Sequence, residues 1–331
     1  MKCIRTEDAV GQILCHDMTQ IIKDVKKDAV FRKGHIITEE DIPVLLSIGK
    51  EHIYVWDNPE GMVHENDGAE ILRQLSQGAN LEAGDPKEGK IALKATCDGV
   101  LKLKTDKLLA INSIGEMMIA TKRRNVLVKK GHAAAAMRII PLMIHEDKMK
   151  LAREVAGDEP IGSIMPLLPK KAAILATGSE IYKGRIEDTF TPVVEGKLTA
   201  LGAEVIDKRI LDDNADMTTA NILEVIEKGA ELVCVTGGMS VDPDDRTPLA
   251  IKQTGAEIIS YGAPVLPGAM FMVSYFHKKT EDGEKLIPIV GLPGCVMYAG
   301  NTIFDMVLPR LLADDKVKLE EIQAMGEGGL L

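Results

Sequence analysis

The sequence predicts an α/β protein: a mainly parallel sheet flanked by helices on both faces, preceded by a smaller N-terminal α/β segment and a β-rich insertion. Two observations predict the main sheet. Apolar strand-length runs at Ala172–Ala176, Glu204–Ile206, Leu232–Val235 and Ile287–Val290 alternate with helix-length segments. Within those segments apolar residues recur at helical spacing, Val194, Leu198 and Leu201 before Gly202, and Ala220, Leu223 and Ile226 before Gly229. Strand and helix in strict alternation produce a parallel sheet covered on both sides, with right-handed crossovers.

The rest of the chain reads in order. Thr38–Asp41 is a plausible cap ahead of Ile42, Leu45, Leu46 and Ile48, and Gly49 ends that helix. His52–Trp56 has strand character, and Asp57–Gly61 is a turn-rich exit, so a first boundary falls near residue 60. A helical stretch at Glu70–Leu75 leads to the Gly-, Asp- and Glu-rich connection 78–89. Short apolar pieces at Ile91–Leu93, Val100–Leu103, Leu108–Ile111 and Val126–Val128, punctuated by glycine, predict the β-rich insertion. His145–Val155 reads as a connecting helix and Pro160–Pro169, with three prolines, as a linker. The expected division is 1–60, 61–165, 170–313 and a tail, 314–331, whose Gly326, Gly328 and Gly329 predict loose order.

Composition narrows the function. With 331 residues, 45% hydrophobic and 27% charged, the chain is long enough for two or three domains with ordinary cores. Its net charge of -10 and 3% aromatic content argue against nucleic acid, which is gripped by Lys and Arg and stacked on aromatic rings. Five scattered cysteines without a C-x-x-C pair point to a reducing compartment. No apolar run approaches the ~20 residues that span a bilayer, so a cytoplasmic protein with no membrane partner is expected. Seven scattered histidines lack metal-ligand spacing, and any metal should be held by oxygen. The basic cluster Lys122–Arg124 with Lys129 and Lys130 is read as a solvated face, with steering of an anionic ligand as the alternative.

In open α/β sheets ligands bind beyond the carboxyl ends of the strands. The loops at those positions are Thr177-Gly178-Ser179-Glu180, Asp212-Asp213, Thr236-Gly237-Gly238-Met239-Ser240 and Leu292-Pro293-Gly294-Cys295. Glycine lets backbone N–H groups approach an anion, which favours a phosphate, although Gly237-Gly238 alone is equally a tight turn. Thr247-Pro248 looks like an N-cap with proline at the first helical position. Asp212, Asp213, Asp242, Asp244 and Asp245 fall in loops on the same edge. Two carboxylates about 4 Å apart repel by ~4 kcal/mol at an effective dielectric near 20, so convergence would call for a cation such as Mg2+. The bland reading is a solvated acidic surface.

Several of these loops carry a resemblance. Thr236-Gly-Gly-Met-Ser-Val-Asp-Pro-Asp-Asp-Arg-Thr-Pro248 follows the pattern G-G-[TV]-[GS]-x-x-x-x-D, with Asp245 as its aspartate. Thr177–Glu180 is similar to T-G-D-E, and Ile186–Thr189 to the following I-x-D-[ST]-N. On these motifs, Lys171–Leu312 resembles the domain shared by molybdopterin adenylyltransferases and molybdopterin molybdotransferases. Thr6–Ala9, Gly11–Leu14 and Lys33–Ile53 are similar to segments bordering that domain in molybdotransferases. The resemblance implies molybdopterin or adenylyl-molybdopterin as substrate, Mg2+ as cofactor and a homo-oligomer. It implies Asp212 and Asp245 as catalytic metal ligands. Gly237, Gly238, Met239 and Ser240 would cradle the terminal phosphate. Thr177, Gly178, Ser179, Glu180, Asp188, Thr189, Pro293 and Gly294 would complete the binding site.

Four departures stand out: Phe190 replaces an Asn, Cys295 replaces another, Pro267-Gly268-Ala269 lacks a Lys, and Ser179 replaces an acid. Each lost donor weakens anion recognition. The leading expectation is an enzyme or insertion factor of molybdenum cofactor maturation. The alternatives are a carrier or sensor that delivers the finished cofactor to a molybdoenzyme, and a nucleotide pyrophosphatase, since competence-associated proteins share a similar domain. Cys295 is either a contact to a soft metal or dithiolene or an inert thiol.

Overall fold

The computed structural model describes residues 2–22, 26–56, 60–242, 245–281 and 283–331. Asp57, Asn58 and Pro59 of the turn-rich exit, and Pro243 and Asp244 of the acidic loop, lie outside the described residues. Two compact units emerge: Met1–Thr96, Leu103–Lys122 and Gly131–Ser163 form the first, and Cys97–Lys102, Arg123–Lys130 and Ile164–Leu331 the second. The stretch read as one insertion therefore contributes to both.

In the first unit, Lys2–Arg5 pairs antiparallel with His52–Val55, and Met18–Ile22 with Lys26–Phe31. A helix over Asp41–Ser47 packs Leu45 among Ala9, Leu14, Ile37, Ile53 and Val55. Asp41 receives both the backbone N–H and the hydroxyl of Thr38, and Gly49 leaves the helix at φ +79°. A longer helix, Glu65–Ser76, extends the predicted turn-and-a-half at Glu70–Leu75. Four strands, Leu81–Ala83, Ile91–Ala95, Ala133–Ile139 and Met117–Thr121, form an antiparallel sheet in that order. Leu108–Ile111, expected as a strand, lies instead in a helix over Thr105–Asn112. Leu and Ala favour that state, and Ile111 is buried once per turn rather than at every second residue. Gly162–Pro166, expected as linker, is a strand.

The second unit holds the large sheet. Its elements are β1 (Lys171–Thr177), α1 (Phe190–Ala200), β2 (Glu204–Leu211), α2 (Ala215–Glu227), β3 (Leu232–Thr236), α3 (Thr247–Gln253), β4 (Glu257–Tyr261), β5 (Met272–Thr280), β6 (Gly283–Leu292), α4 (Ile303–Leu312) and α5 (Leu319–Gln323). Among the described residues the strands lie in the order β2-β1-β3-β6-β5-β4. The first three pairings are parallel, and β5 runs against both β6 and β4. Alternate side chains of β1 enter two separate cores. Ala172 and Ile174 join Val194 and Leu198 of α1 and Phe304, Val307 and Leu308 of α4. Ala173 and Leu175 join Ile222 and Val225 of α2 and Ile251 of α3. Both faces are thus covered, which explains the near-continuous apolar runs of β1 and β3. Burying each Val, Leu or Ile side chain stabilises this arrangement by roughly 1.5–3 kcal/mol.

Strands β4 and β5 escaped the sequence reading. The side chains of β4 are largely exposed, and the apolar start of β5 gives way to His277, Lys278 and Lys279, so neither is apolar along its length. Near its polar end, His277 of β5 places Nε2 3.2 Å from Glu257 and Nδ1 3.1 Å from Glu284. The hydrogen bonds to Glu284 and Glu257 raise the His277 pKa above its ordinary value. The stabilisation is therefore complete below the ordinary imidazole range and lost as pH rises through the raised value. His277→Gln is expected to flatten the dependence of the thermal midpoint on pH across that interval; an unchanged profile would remove the pair from the stability account.

The tail expected to be loose is folded. Arg310 is fully buried, and donates from Nε to Asp315 at 2.6 Å and from Nη2 to Glu321 at 2.7 Å. Lys102 reaches Asp315 at 2.8 Å, and Asn125 reaches Glu321 at 3.2 Å. Leu266 N–H donates to Gly329 O at 3.0 Å. A Cβ on Gly329 would sit 2.6 Å from Pro264 O, so this glycine serves close packing rather than freedom.

Candidate functional site

The strand register fixes where the loops emerge. Thr177 lies opposite Leu211, Ala176 opposite Thr236, and Thr236 opposite Leu292, so β1, β2, β3 and β6 end on one rim. The chain runs from β1 outward to β2 and then returns to place β3 on the other side of β1. That reversal opens a crevice between the ends of β1 and β3, the position where doubly wound sheets bind ligands. The Gly178 and Gly237-Gly238 loops leave from these two strands.

Backbone geometry explains the glycines. Gly237 has φ +89°, and a Cβ there would lie 2.0 Å from the Thr177 carbonyl oxygen. Gly238 has φ +53°, with the Thr247 hydroxyl 3.1 Å from its Cβ position. Met239 points down into the core, where its sulfur would meet a Cβ on Gly291 at 2.5 Å, and its carbonyl accepts from the Tyr261 hydroxyl at 2.9 Å. Ser240 is exposed. The loop is anchored beneath, and its glycine face is half-exposed at the rim.

The carboxylates converge around Asp213. Its Oδ2 accepts the Ser179 N–H at 2.7 Å, while its own N–H donates to Asp212 Oδ1 at 3.0 Å. Asn214 caps α2 by accepting from Met217 N–H, which holds both aspartates just ahead of the helix. Burial pushes the Asp213 carboxyl up, the Ser179 hydrogen bond draws it down, and the neighbouring Glu180, Asp212 and Asp245 charges push it up again. Burial and the Asp245 charge also raise the Tyr261 phenol. Asp212, Asp213, Asp245 and Glu180 therefore share one electrostatic neighbourhood at the rim. The Asp245 N–H is tied to Asp242 O at 3.0 Å.

A carboxyl with a raised pKa stabilises the fold at low pH, and loses that contribution as pH climbs from the ordinary carboxyl range through the raised value. Asp213→Asn keeps an acceptor for Ser179 while removing the charge. Without divalent cation at neutral pH it should raise the thermal midpoint by roughly 1–2 °C, a small gain because the half-exposed charge is screened. A lower midpoint would contradict the repulsion.

The remaining predicted residues divide. Thr177 is buried and its hydroxyl is spent internally, 3.3 Å from Thr236 O and 3.2 Å from the Thr247 hydroxyl, so its side chain does not face a ligand. Thr247 is the first residue of α3 rather than its cap, a place held by Arg246 without a side-chain bond. Asp188 accepts the N–H groups of Phe190 and Thr191 at the start of α1. Thr189 donates to the Met297 sulfur at 2.9 Å, and the Phe190 ring lies 3.9 Å from the Cβ position of Gly294. Asp188, Thr189, Gly294 and the buried Pro293 thus make a second group, beside the loop that ends β6. Burial raises the Cys295 thiol, which keeps it protonated and favours the inert reading.

Among the described residues no group of three or more His, Cys, Asp or Glu side chains is arranged to hold a metal ion. Mg2+ shared with ligand phosphates uses only one or two carboxylates, and this rim can supply those. Among the described residues no helix is long and apolar enough to cross a membrane.

Residues 173–313 match a family described as a probable molybdopterin binding domain, and residues 3–57 one described as a domain of unknown function. A CinA-like protein of Fervidobacterium nodosum is 37% identical over 183 residues, 47% of this chain and 45% of that protein. A protein of Levilactobacillus brevis described as competence-damage inducible is 30% identical over 118 residues, 36% of this chain and 27% of that protein. The chain spans less than half the length of the curated relatives it matches. The tungsten cofactor synthesizing protein MoaB of Pyrococcus furiosus aligns with 45% of this chain and 98% of its own, at 20% identity and a TM-score of 0.37. The rim described above lies within residues 173–313, the stretch that matches the probable molybdopterin binding domain.

Proposed function

We propose that the second unit acts in molybdenum cofactor maturation by binding molybdopterin or its adenylylated form. The observation that carries this reading is the β1/β3 crevice, where the positive-φ Gly237-Gly238 loop and the Asp213 carboxylate, held by the Ser179 N–H, leave the same rim of the sheet. The amides of the Gly237–Ser240 loop cradle the terminal phosphate. Asp212 and Asp245 hold Mg2+, which when bound neutralises charge on the phosphates. Ser179, Glu180 and the Asp188–Thr189 group line the remainder with Pro293 and Gly294. In adenylyl transfer, a phosphate oxygen of molybdopterin attacks the α-phosphorus of ATP, and the bond to pyrophosphate breaks. Positioning and charge neutralisation supply most of the catalysis, and no protein nucleophile takes part. The molecule works as a homo-oligomer, which sedimentation would measure.

The test joins mass spectrometry of the small molecule that co-purifies with the native protein to an Mg2+-dependent assay of molybdopterin adenylylation and molybdate insertion. Recovery of a phosphorylated pterin with turnover supports the enzyme. Pterin binding without turnover supports the carrier, a reading favoured by Phe190, whose ring stands beside Gly294 where the family resemblance leads one to expect an Asn amide. Hydrolysis of ADP-ribose without pterin binding would replace both with a nucleotide pyrophosphatase. No binding of any phosphorylated ligand would reject the proposal.

A further inference from the structure

We propose that Thr177 and Thr247 are positioning residues whose buried hydroxyl pair latches the Gly237-Gly238 loop into its anion-facing shape. Thr177 ends β1 and Thr247 opens α3, and they are 5% and 2% exposed. Their hydroxyl oxygens lie 3.2 Å apart. Thr177 has one hydroxyl proton, and donates it to Thr236 O at 3.3 Å, so Thr247 is the donor in the shared bond. Both partners also bear on the glycines through backbone. Thr247 N–H donates to Gly238 O at 3.2 Å, and the Thr177 carbonyl occupies the space a Cβ on Gly237 would fill. The loop is thus clasped from the strand on one side and the helix on the other.

A buried hydroxyl adds nothing to apolar packing that valine, of nearly the same shape, would not supply. At the two facing positions the bond between the hydroxyls offsets the cost of burying them. Thr236 gives the contrast: its hydroxyl is equally buried but has no hydrogen-bond partner. The three threonines therefore separate loss of the latch from loss of any hydroxyl. Relevance of the latch to ligand rests on the phosphate reading above; its existence does not.

The experiment is hydrogen exchange over residues 236–250 in the full chain, paired with binding of inorganic pyrophosphate in the presence of Mg2+. Loss of one buried hydrogen bond corresponds to a change of about threefold to tenfold. Thr247→Val should accelerate exchange in that segment, and weaken pyrophosphate binding, each by about that factor, while Thr247→Ser restores both. Thr177→Val, which removes the same bond from its other end together with the bond to Thr236 O, should accelerate exchange at least as much and serves if Thr247→Val folds poorly. Thr236→Val should leave exchange across the loop as in the parent. Parent-like exchange in both Thr177→Val and Thr247→Val, or failure of serine to restore it, overturns the latch. A parent protein that binds no pyrophosphate counts against the phosphate site, and the exchange result still decides the latch.

Discussion

Asp245→Asn is expected to lower Mg2+-dependent turnover by about 100-fold to 1000-fold, the scale on which removal of one preorganised electrostatic group acts. Binding of the pterin should change little, because asparagine preserves the side-chain shape, and the amide of residue 245 still reaches Asp242 O. The loss follows from charge. Asp245 sits within the field of Asp212, Asp213 and Glu180, and a cation enters such a cluster only while the repulsion among the carboxylates repays its dehydration. Without one charge the incentive falls, so the required Mg2+ concentration should rise and the maximal rate should fall. A titration of rate against Mg2+ separates the two effects. Full activity for Asp245→Asn at parental Mg2+ concentrations would end the assignment of this residue as a metal ligand.

Gly237→Ala is the second large effect. The new methyl would lie 2.0 Å from Thr177 O, 2.8 Å from its hydroxyl and 2.9 Å from its carbonyl carbon, and the residue would keep φ near +89°. Thr177 cannot yield cheaply, since it is locked at the end of a strand buried on both faces. Left-handed strain and overpacking together cost about 3–5 kcal/mol. For a protein of this size that is a drop of roughly 10 °C in thermal midpoint, with phosphate binding lost even in whatever fraction stays folded. Gly202→Ala provides the comparison, because Gly202 also has a positive φ, +85°, but nothing lies within 4 Å of its Cβ position. A Gly237→Ala midpoint no lower than that of Gly202→Ala would show that the close approach to Thr177 is not rigid.

Much of this was legible in the sequence, and the rest failed for identifiable reasons. The apolar runs of β1 and β3 announced themselves because both faces of each strand are buried, so every side chain had to be apolar. The largely exposed β4 and the polar second half of β5 gave no such signal, and Leu108–Ile111 is too short a run for apolar content alone to separate helix from strand. Asp213 was seen as one acid among several. Its central place follows from the Ser179 N–H and the turn before α2, contacts between residues 34 apart in sequence. Thr177 looked like a ligand contact because Thr177–Glu180 resembles the T-G-D-E motif, whereas burial turned its hydroxyl inward. The tail glycines looked like flexibility, yet a Cβ on Gly329 would meet Pro264 O at 2.6 Å and one on Gly328 the Arg123 guanidinium at 2.5 Å.

The alternation β1-α1-β2-α2-β3 was settled by the sequence itself, since periodicity and glycine punctuation act over one element at a time. So was the grouping of glycine and aspartate directly after strands, where any parallel sheet must deliver its loops. Strand order could not be read this way, because pairing partners are chosen by three-dimensional packing. The return of β3 to the far side of β1 creates the crevice, the register brings four strand ends level, and only then do carboxylates distant in the chain come to share one field.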